Sequence, residues 1–324
     1  SATDSENKKL FFSICACGIF SVIFNKLAPY FFSKMVALFG EGVAFADISR
    51  PLWLLLAGVL VATVFSKLLE ILFSLLGEVK LRPRIYKQIN LDCFSYVNGH
   101  SVAFFSDNMA GSLAQKGNEL AHNAGFYIPL LYYLCDVFQL FVIFIMLAAV
   151  NGVFALCFAG FVLLSVLILF NVGRLSVNLR RQMAEAKSKV GGQLIDALQN
   201  HFFVRLFNGF GYEKNRAERQ LREESKITDK SVTVEAFQSQ GEKLYFQIVY
   251  LLFLFYTFYL WKTAEISSAD VVLIFFLLQN VSDTVSFLIH RGIIYSGVLA
   301  EIRANLIPFS QPHDIQDKSD ATDI

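Results

Sequence analysis

Long apolar runs alternate with connections of two very different lengths, and this alternation constrains the chain more than any motif in it. A bilayer core about 30 Å thick needs about 20 apolar residues in a helix. Six runs meet that length: residues 10–39, 51–76, 126–150, 153–172, 244–261 and 269–294. Together they raise the apolar share of the 324 residues to 55%, above the 45–50% or so of a soluble domain. The polar start, residues 1–9, precedes the first run. No small-residue cleavage pattern follows that run, so it is kept as a span rather than a removable leader. The sixth run carries unusual polarity at Gln279, Asn280, Asp283, His290 and Arg291.

The first, third and fifth connections are short: Gly40, Gly42 and Pro51 break the first, Asn151-Gly152 is the whole of the third, and residues 262–268 form the fifth. Between them lie connections of roughly fifty and roughly seventy residues, far beyond the usual loop length. Basic residues gather in the long connections: Lys80, Arg82, Arg84, Lys87 and Lys116 in one, and a series from Arg174 to Lys243 in the other. The short loops hold only Arg50 and Lys262. The bias of basic residues toward the inner side places both long connections and both termini in the cytoplasm. A net charge of +1 suggests no nucleic-acid partner.

The long connections are poor in Pro and Ser and rich in helix formers, and Glu185–Lys189, Glu218–Arg222 and Glu213–Arg216 stand at helical spacing. Each span is therefore expected to continue as a helix well past the membrane and return, giving two cytoplasmic helical hairpins. The turns fall near Asn98, Gly99, His100, Phe104 and Phe105, and near Val204, Arg205, Phe207, Asn208, Phe210 and Tyr212. Aromatic residues at a polar tip either receive a partner's groove or pack on one another within the tip.

These features converge on a family. The order of spans and excursions resembles the transmembrane domain of ABC exporters. Phe104-Phe105-Ser106-Asp107-Asn108-Met109-Ala110-Gly111-Ser112-Leu113 resembles the stretch after that family's first coupling helix. Residues 193–207 resemble the stretch around its second, and Ile266-Ser267-Ser268-Ala269-Asp270-Val271-Val272 resembles the entry into its sixth span. The resemblance implies an all-α membrane fold working as a domain-swapped homodimer or with a homologous half. It also implies contact with nucleotide-binding domains through the two tips, and a bacterial inner-membrane location.

Residues 10–306 would then be the six-span domain, and residues 307–324 a linker toward a nucleotide-binding domain. No Gly-Lys dipeptide and hence no phosphate loop occurs. ATP and Mg²⁺ are expected in the separate domain, and this chain alone is expected not to hydrolyse ATP. The chain reads as a domain cut from a longer polypeptide. Gly191-Gly192-Gln193 lacks the Ser that would make it the ATPase signature.

Ionisable or amide groups inside a span face a cavity or each other. Asn25 and Lys26 in the first span, Asp136 in the third, Gln247 in the fifth, and Gln279, Asp283 and His290 in the sixth are the candidates for a translocation cavity. Interhelical pairing is the alternative role, and Arg291 is placed at the inner interface, where basic chains snorkel. The substrate class stays open between lipid, peptide and hydrophobic small molecule. A six-span carrier would show internal repeats and a channel a pore loop; neither is found. A non-transporting receptor or assembly protein on the same scaffold remains the other reading. Five His without paired Cys/His spacing make no metal site, and five unpaired Cys make no disulfide framework.

Overall fold

A computed structural model describes residues 2–40 and 45–312. Every regular element among them is helical. Residues 41–44 of the first loop and residues 313–324 of the expected linker lie outside the described residues, as do the side chains of Ser106, Asp107, Arg174 and Arg180.

The order is α1 (Ala2–Gly40), α2 (Phe45–Ser74), a π-helical segment (Leu75–Leu81), α3 (Arg82–Asn98), α4 (Val102–Asp107) and α5 (Ala110–Asn123). Then come a 3₁₀ turn (Ala124–Phe126), α6 (Tyr127–Val150), α7 (Gly152–Gln199), α8 (His201–Leu206) and α9 (Phe210–Lys262). Last are α10 (Ser268–Gln279), α11 (Val281–Leu306) and a 3₁₀ turn (Ile307–Ser310). Five stretches are long and apolar enough to cross a membrane: Glu6–Phe39, Ser49–Asn98, Ala110–Val150, Phe210–Lys262 and Ser268–Ser310. The fourth expected span is represented by a shorter apolar stretch, Gly152–Ile168.

Local chemistry accounts for the boundaries. Asn151 Oδ1 accepts from the Phe154 N–H at 2.9 Å and so caps the start of α7. Ala264 takes a left-handed φ of 58° before α10. Ser267 and Asp270 then form a reciprocal capping box, with Ser267 N–H donating to Asp270 Oδ2 at 2.9 Å. The sixth span departs from expectation. It is not one helix: α10 stops at Gln279, Asn280 sits at φ −95° and ψ 0°, and α11 begins at Val281.

Contacts divide the chain into one unit of residues 1–159 with 257–324, and another of residues 160–256. In the first, α1 packs along α2 and against α6 and α10; α3 packs on α5, and α11 on α5 and α6. Ile14, Phe73, Leu81 and Leu131 form a buried cluster joining α1, α2 and α6. Gly18 is needed there, because a Cβ at that position would lie 2.7 Å from Cys135 Sγ and 3.0 Å from the Phe73 ring.

In the second unit, the Phe161 ring meets Tyr245, Phe246 and Phe253, and the Ser165 and Tyr245 hydroxyls are 3.0 Å apart. Chain reversal after α8 uses a left-handed Asn208 (φ 50°) and a Gly209 N–H bonded to Val204 O at 2.7 Å. Glu213–Arg216 and Glu218–Arg222 pair as expected. Glu185 instead pairs with Arg181 at 2.9 Å, whose guanidinium fork suits a carboxylate better than the Lys189 ammonium does. With 48 and 53 residues, α7 and α9 are about 70 and 80 Å long, more than twice what a bilayer core requires.

Candidate functional site

The first unit carries an open cavity of about 300 Å³ among its apolar helices. Three helices present the same i, i+3, i+4, i+7 stripe to it, the spacing that aligns side chains on one helical face. On α1 the stripe is Gly18, Ser21, Val22 and Asn25, continued by Lys26; on α6 it is Tyr132, Cys135, Asp136 and Gln139. The third begins at the break itself, with Asn280, Asp283, Thr284 and Phe287, and α2 adds Lys67, Glu70 and Phe73.

Polar bonds tie the walls together. Gln139 Nε2 donates to Thr284 Oγ1 at 2.9 Å, and Thr284 Oγ1 donates to Asn280 O at 2.9 Å. The second bond draws the hydroxyl back onto the carbonyl at the interruption. Ser21 Oγ donates to Ser66 O at 3.2 Å, linking α1 to α2. The Arg291 guanidinium donates to Asp136, and the Tyr295 hydroxyl to Pro129 O, so α11 is strapped to α6 at two further levels. Arg291 also lies 5.7 Å from the centroid of Tyr132 and 5.2 Å from that of Phe287. It is therefore an interhelical ligand of Asp136 rather than a chain reaching for the membrane surface.

Lys26 is 3% exposed and, among the described residues, has no carboxylate within 4.0 Å. A charge at the bilayer centre costs about 2.5–3.5 kcal/mol even on the lenient insertion scale, so its position on a polar cavity has a physical reason. The end of its apolar run at Phe39 is about 20 Å away along the helix, too far for the side chain to reach.

Of the sequence candidates, Asn25, Lys26, Asp136 and Asp283 come together at this cavity. Gln279 and His290 do not line it; both side chains are exposed, and His290 Nδ1 is 2.9 Å from Ser286 O. The break at Asn280 shifts the facing stripe, so a continuous helix drawn through Gln279 and Asp283 selects the wrong face. Gln247 is an exposed residue of α9 in the second unit. The candidates omitted Lys67, Glu70, Tyr132 and Thr284. For the α6 wall the signal was present, since Tyr132, Cys135, Asp136 and Gln139 already repeat at helical spacing.

The two tips differ in character. At the first, His100 and Phe104 are buried, their rings stacked at 4.0 Å, with Tyr96 edge-on to His100 at 5.0 Å. Asn98 and Gly99 are exposed, and Phe105 is at the margin of exposure. The first tip's aromatic residues thus largely pack on one another. At the second, Phe207 and Phe210 are 76% and 73% exposed, and Tyr212, Phe202, Phe203 and Leu206 are open too. Val204 is half-buried, and Arg205 and Asn208 are exposed. No group of His, Cys, Asp or Glu among the described residues could hold a metal ion.

Comparison with solved structures finds the same fold in a bacterial Atm1-family ABC exporter with ATP bound, at a TM-score of 0.76 and 14% identity. The alignment covers 98% of this chain and 56% of that one, so the chain spans little more than half the exporter's length. At that identity the likeness shows the fold alone. No curated protein matches the sequence. Residues 11–282 match the family described as ABC transporter transmembrane region. The chain is an integral membrane protein and belongs to the ABC transporter transmembrane region family.

Proposed function

We propose that this chain is the substrate-translocating domain of an ATP-driven exporter, with six spans and two cytoplasmic excursions, and that the cavity of α1, α2, α6 and α11 is its translocation site. The observation that carries this reading is a polar cavity with a buried lysine inside an apolar bundle of exporter fold. Residues 10–306 form the membrane domain and residues 307–324 lead toward a nucleotide-binding domain. The termini are cytoplasmic, in a bacterial inner membrane, and two copies or homologous halves work together as a swapped dimer.

The excursions carry the coupling. The lengths of α7 and α9 suit an excursion well beyond the bilayer, and the open aromatic tip around Phe207 and Phe210 suits a partner groove. At the first tip, Asn98, Gly99 and Phe105 offer the contact while His100 and Phe104 stiffen it. The residues of this chain do not fit ATP or Mg²⁺, since they include no phosphate loop. The nucleotide is assigned to the partner domain. ATP binding would favour one conformation of the paired spans and shift the population toward it. Moving an equilibrium from 1:99 to 99:1 takes about 5.5 kcal/mol of differential binding.

The test is substrate-stimulated ATPase activity of the full-length protein carrying Lys26→Met or Asp283→Asn. Loss of stimulation with intact basal turnover is expected. Wild-type stimulation in both variants would overturn the assignment of the cavity.

A further inference from the structure

The charges around the cavity do not cancel one by one. Lys67 is bonded to Glu70 at 2.7 Å, and Asp136 holds Arg291. Two groups are left over: Lys26 on α1 and Asp283 at the start of α11, both lining the cavity. Among the described residues neither has an ion-pair partner, and they are not within 4.0 Å of each other. A buried positive charge and an exposed negative charge at the rim therefore stand apart on one open cavity, with the rings of Phe73, Tyr132 and Phe287 on its walls. Lys26 is more than nine-tenths buried, and the other carboxylates of its cavity, Glu70 and Asp136, are already paired with Lys67 and Arg291.

From this we infer that the cavity binds a small organic zwitterion, its acidic group on Lys26, its cationic group on Asp283 and its apolar body against the aromatic wall. A purely anionic ligand would satisfy Lys26 and leave Asp283 uncompensated, and a purely cationic one would do the reverse. A neutral hydrophobic ligand would bury both charges without a partner, which low-dielectric surroundings penalise most. About 300 Å³ lies at the lower end of small-molecule sites. It suits a derivatised amino acid or a dipeptide. The substrate class left open by the sequence narrows accordingly. This inference rests on reading the cavity as the translocation site.

Three matched fluorophores test it: Nα-dansyl-lysine carries a carboxylate and a distant ammonium, dansylglycine only the carboxylate, and dansylcadaverine only the ammonium. Binding is measured on the full-length protein in phosphatidylcholine nanodiscs, with empty discs subtracted. Dansyl-lysine is expected to bind about tenfold or more tighter than either single-charge probe, the value of one charge-assisted contact. Lys26→Met should reduce its affinity to that of dansylcadaverine, Asp283→Asn to that of dansylglycine, and Lys26→Arg should keep most of it, which guards against misfolding. Equal binding of dansylglycine and dansyl-lysine, sensitive only to Lys26→Met, overturns the zwitterion in favour of a simple anion. Indifference to both neutral variants, or no binding of any probe, overturns the site. Dansyl-lysine binding without ATP-driven transport would leave this inference standing and sink the exporter reading alone.

Discussion

Removing Arg291 should destabilise the protein more than removing the charge of Asp136, although the two form one pair. Asp136→Asn keeps an oxygen for the guanidinium, and Arg291 still lies over the faces of Tyr132 and Phe287. The loss is that of a charge-assisted hydrogen bond, about 1.5–3 kcal/mol, reduced by the retained ring contacts to about 1–2 kcal/mol. Arg291→Met strands a carboxylate that is only 22% exposed. Breaking a buried pair from one side costs about 3–5 kcal/mol; the polar cavity beside Asp136 lowers that to about 2–4 kcal/mol. The double variant leaves no stranded charge, so its cost should fall short of the sum by about 1–3 kcal/mol. SDS-titrated unfolding of the protein in dodecylmaltoside measures all four corners of the cycle. Additivity within about 0.5 kcal/mol would show that α6 and α11 are not coupled through this pair.

Gly18→Ala should destabilise, by about 1 kcal/mol or more, despite alanine's better helix propensity, because its Cβ would meet Cys135 Sγ at 2.7 Å. Adding Cys135→Ala should recover most of the loss in the same unfolding assay. Phe207→Ser and Phe210→Ser remove side chains that are already exposed, so stability should move by less than about 0.5 kcal/mol while substrate-stimulated ATPase falls. Phe104→Ser, by contrast, empties a site 6% exposed and stacked on His100, and should cost about 3 kcal/mol. The Arg222 guanidinium bonded to Glu218 holds that carboxyl below its usual range, so its contribution is present above the unfolded carboxylate's pKa and is lost as pH falls through the folded value. Hydrogen exchange around Glu218 should quicken in Glu218→Gln at neutral pH and match the parent in strong acid.

The length of the apolar runs made five candidate spans legible, because membrane helices must satisfy their own backbone and announce themselves by length. Asn151-Gly152 was legible as punctuation because its chemistry is local; the Ser267–Asp270 box is equally local, but only the loop at residues 262–268 was read there. The break at Asn280 was not: an Asn within an apolar run does not by itself end a helix. That single residue separates Gln279 on α10 from the α11 stripe, whereas His290 lies on the same α11 face as Asp283 but two turns further along, past the cavity lining. The partner of Asp136 was likewise hidden, since 155 residues separate it from Arg291. At the first tip, composition showed the aromatic residues but not that His100 and Phe104 stack inward.

The proposed translocation site in this cavity is opened to alternate sides of the membrane by nucleotide. In full-length protein freed of its native cysteines, the five of this chain included, Thr284→Cys places a thiol on the cavity wall for a membrane-impermeant thiosulfonate. In sealed proteoliposomes, labelling should occur from the cytoplasmic side without nucleotide and switch to the opposite side with trapped ATP and Mg²⁺. Labelling confined to one side in both states, or protection in both, would contradict alternating access at this cavity.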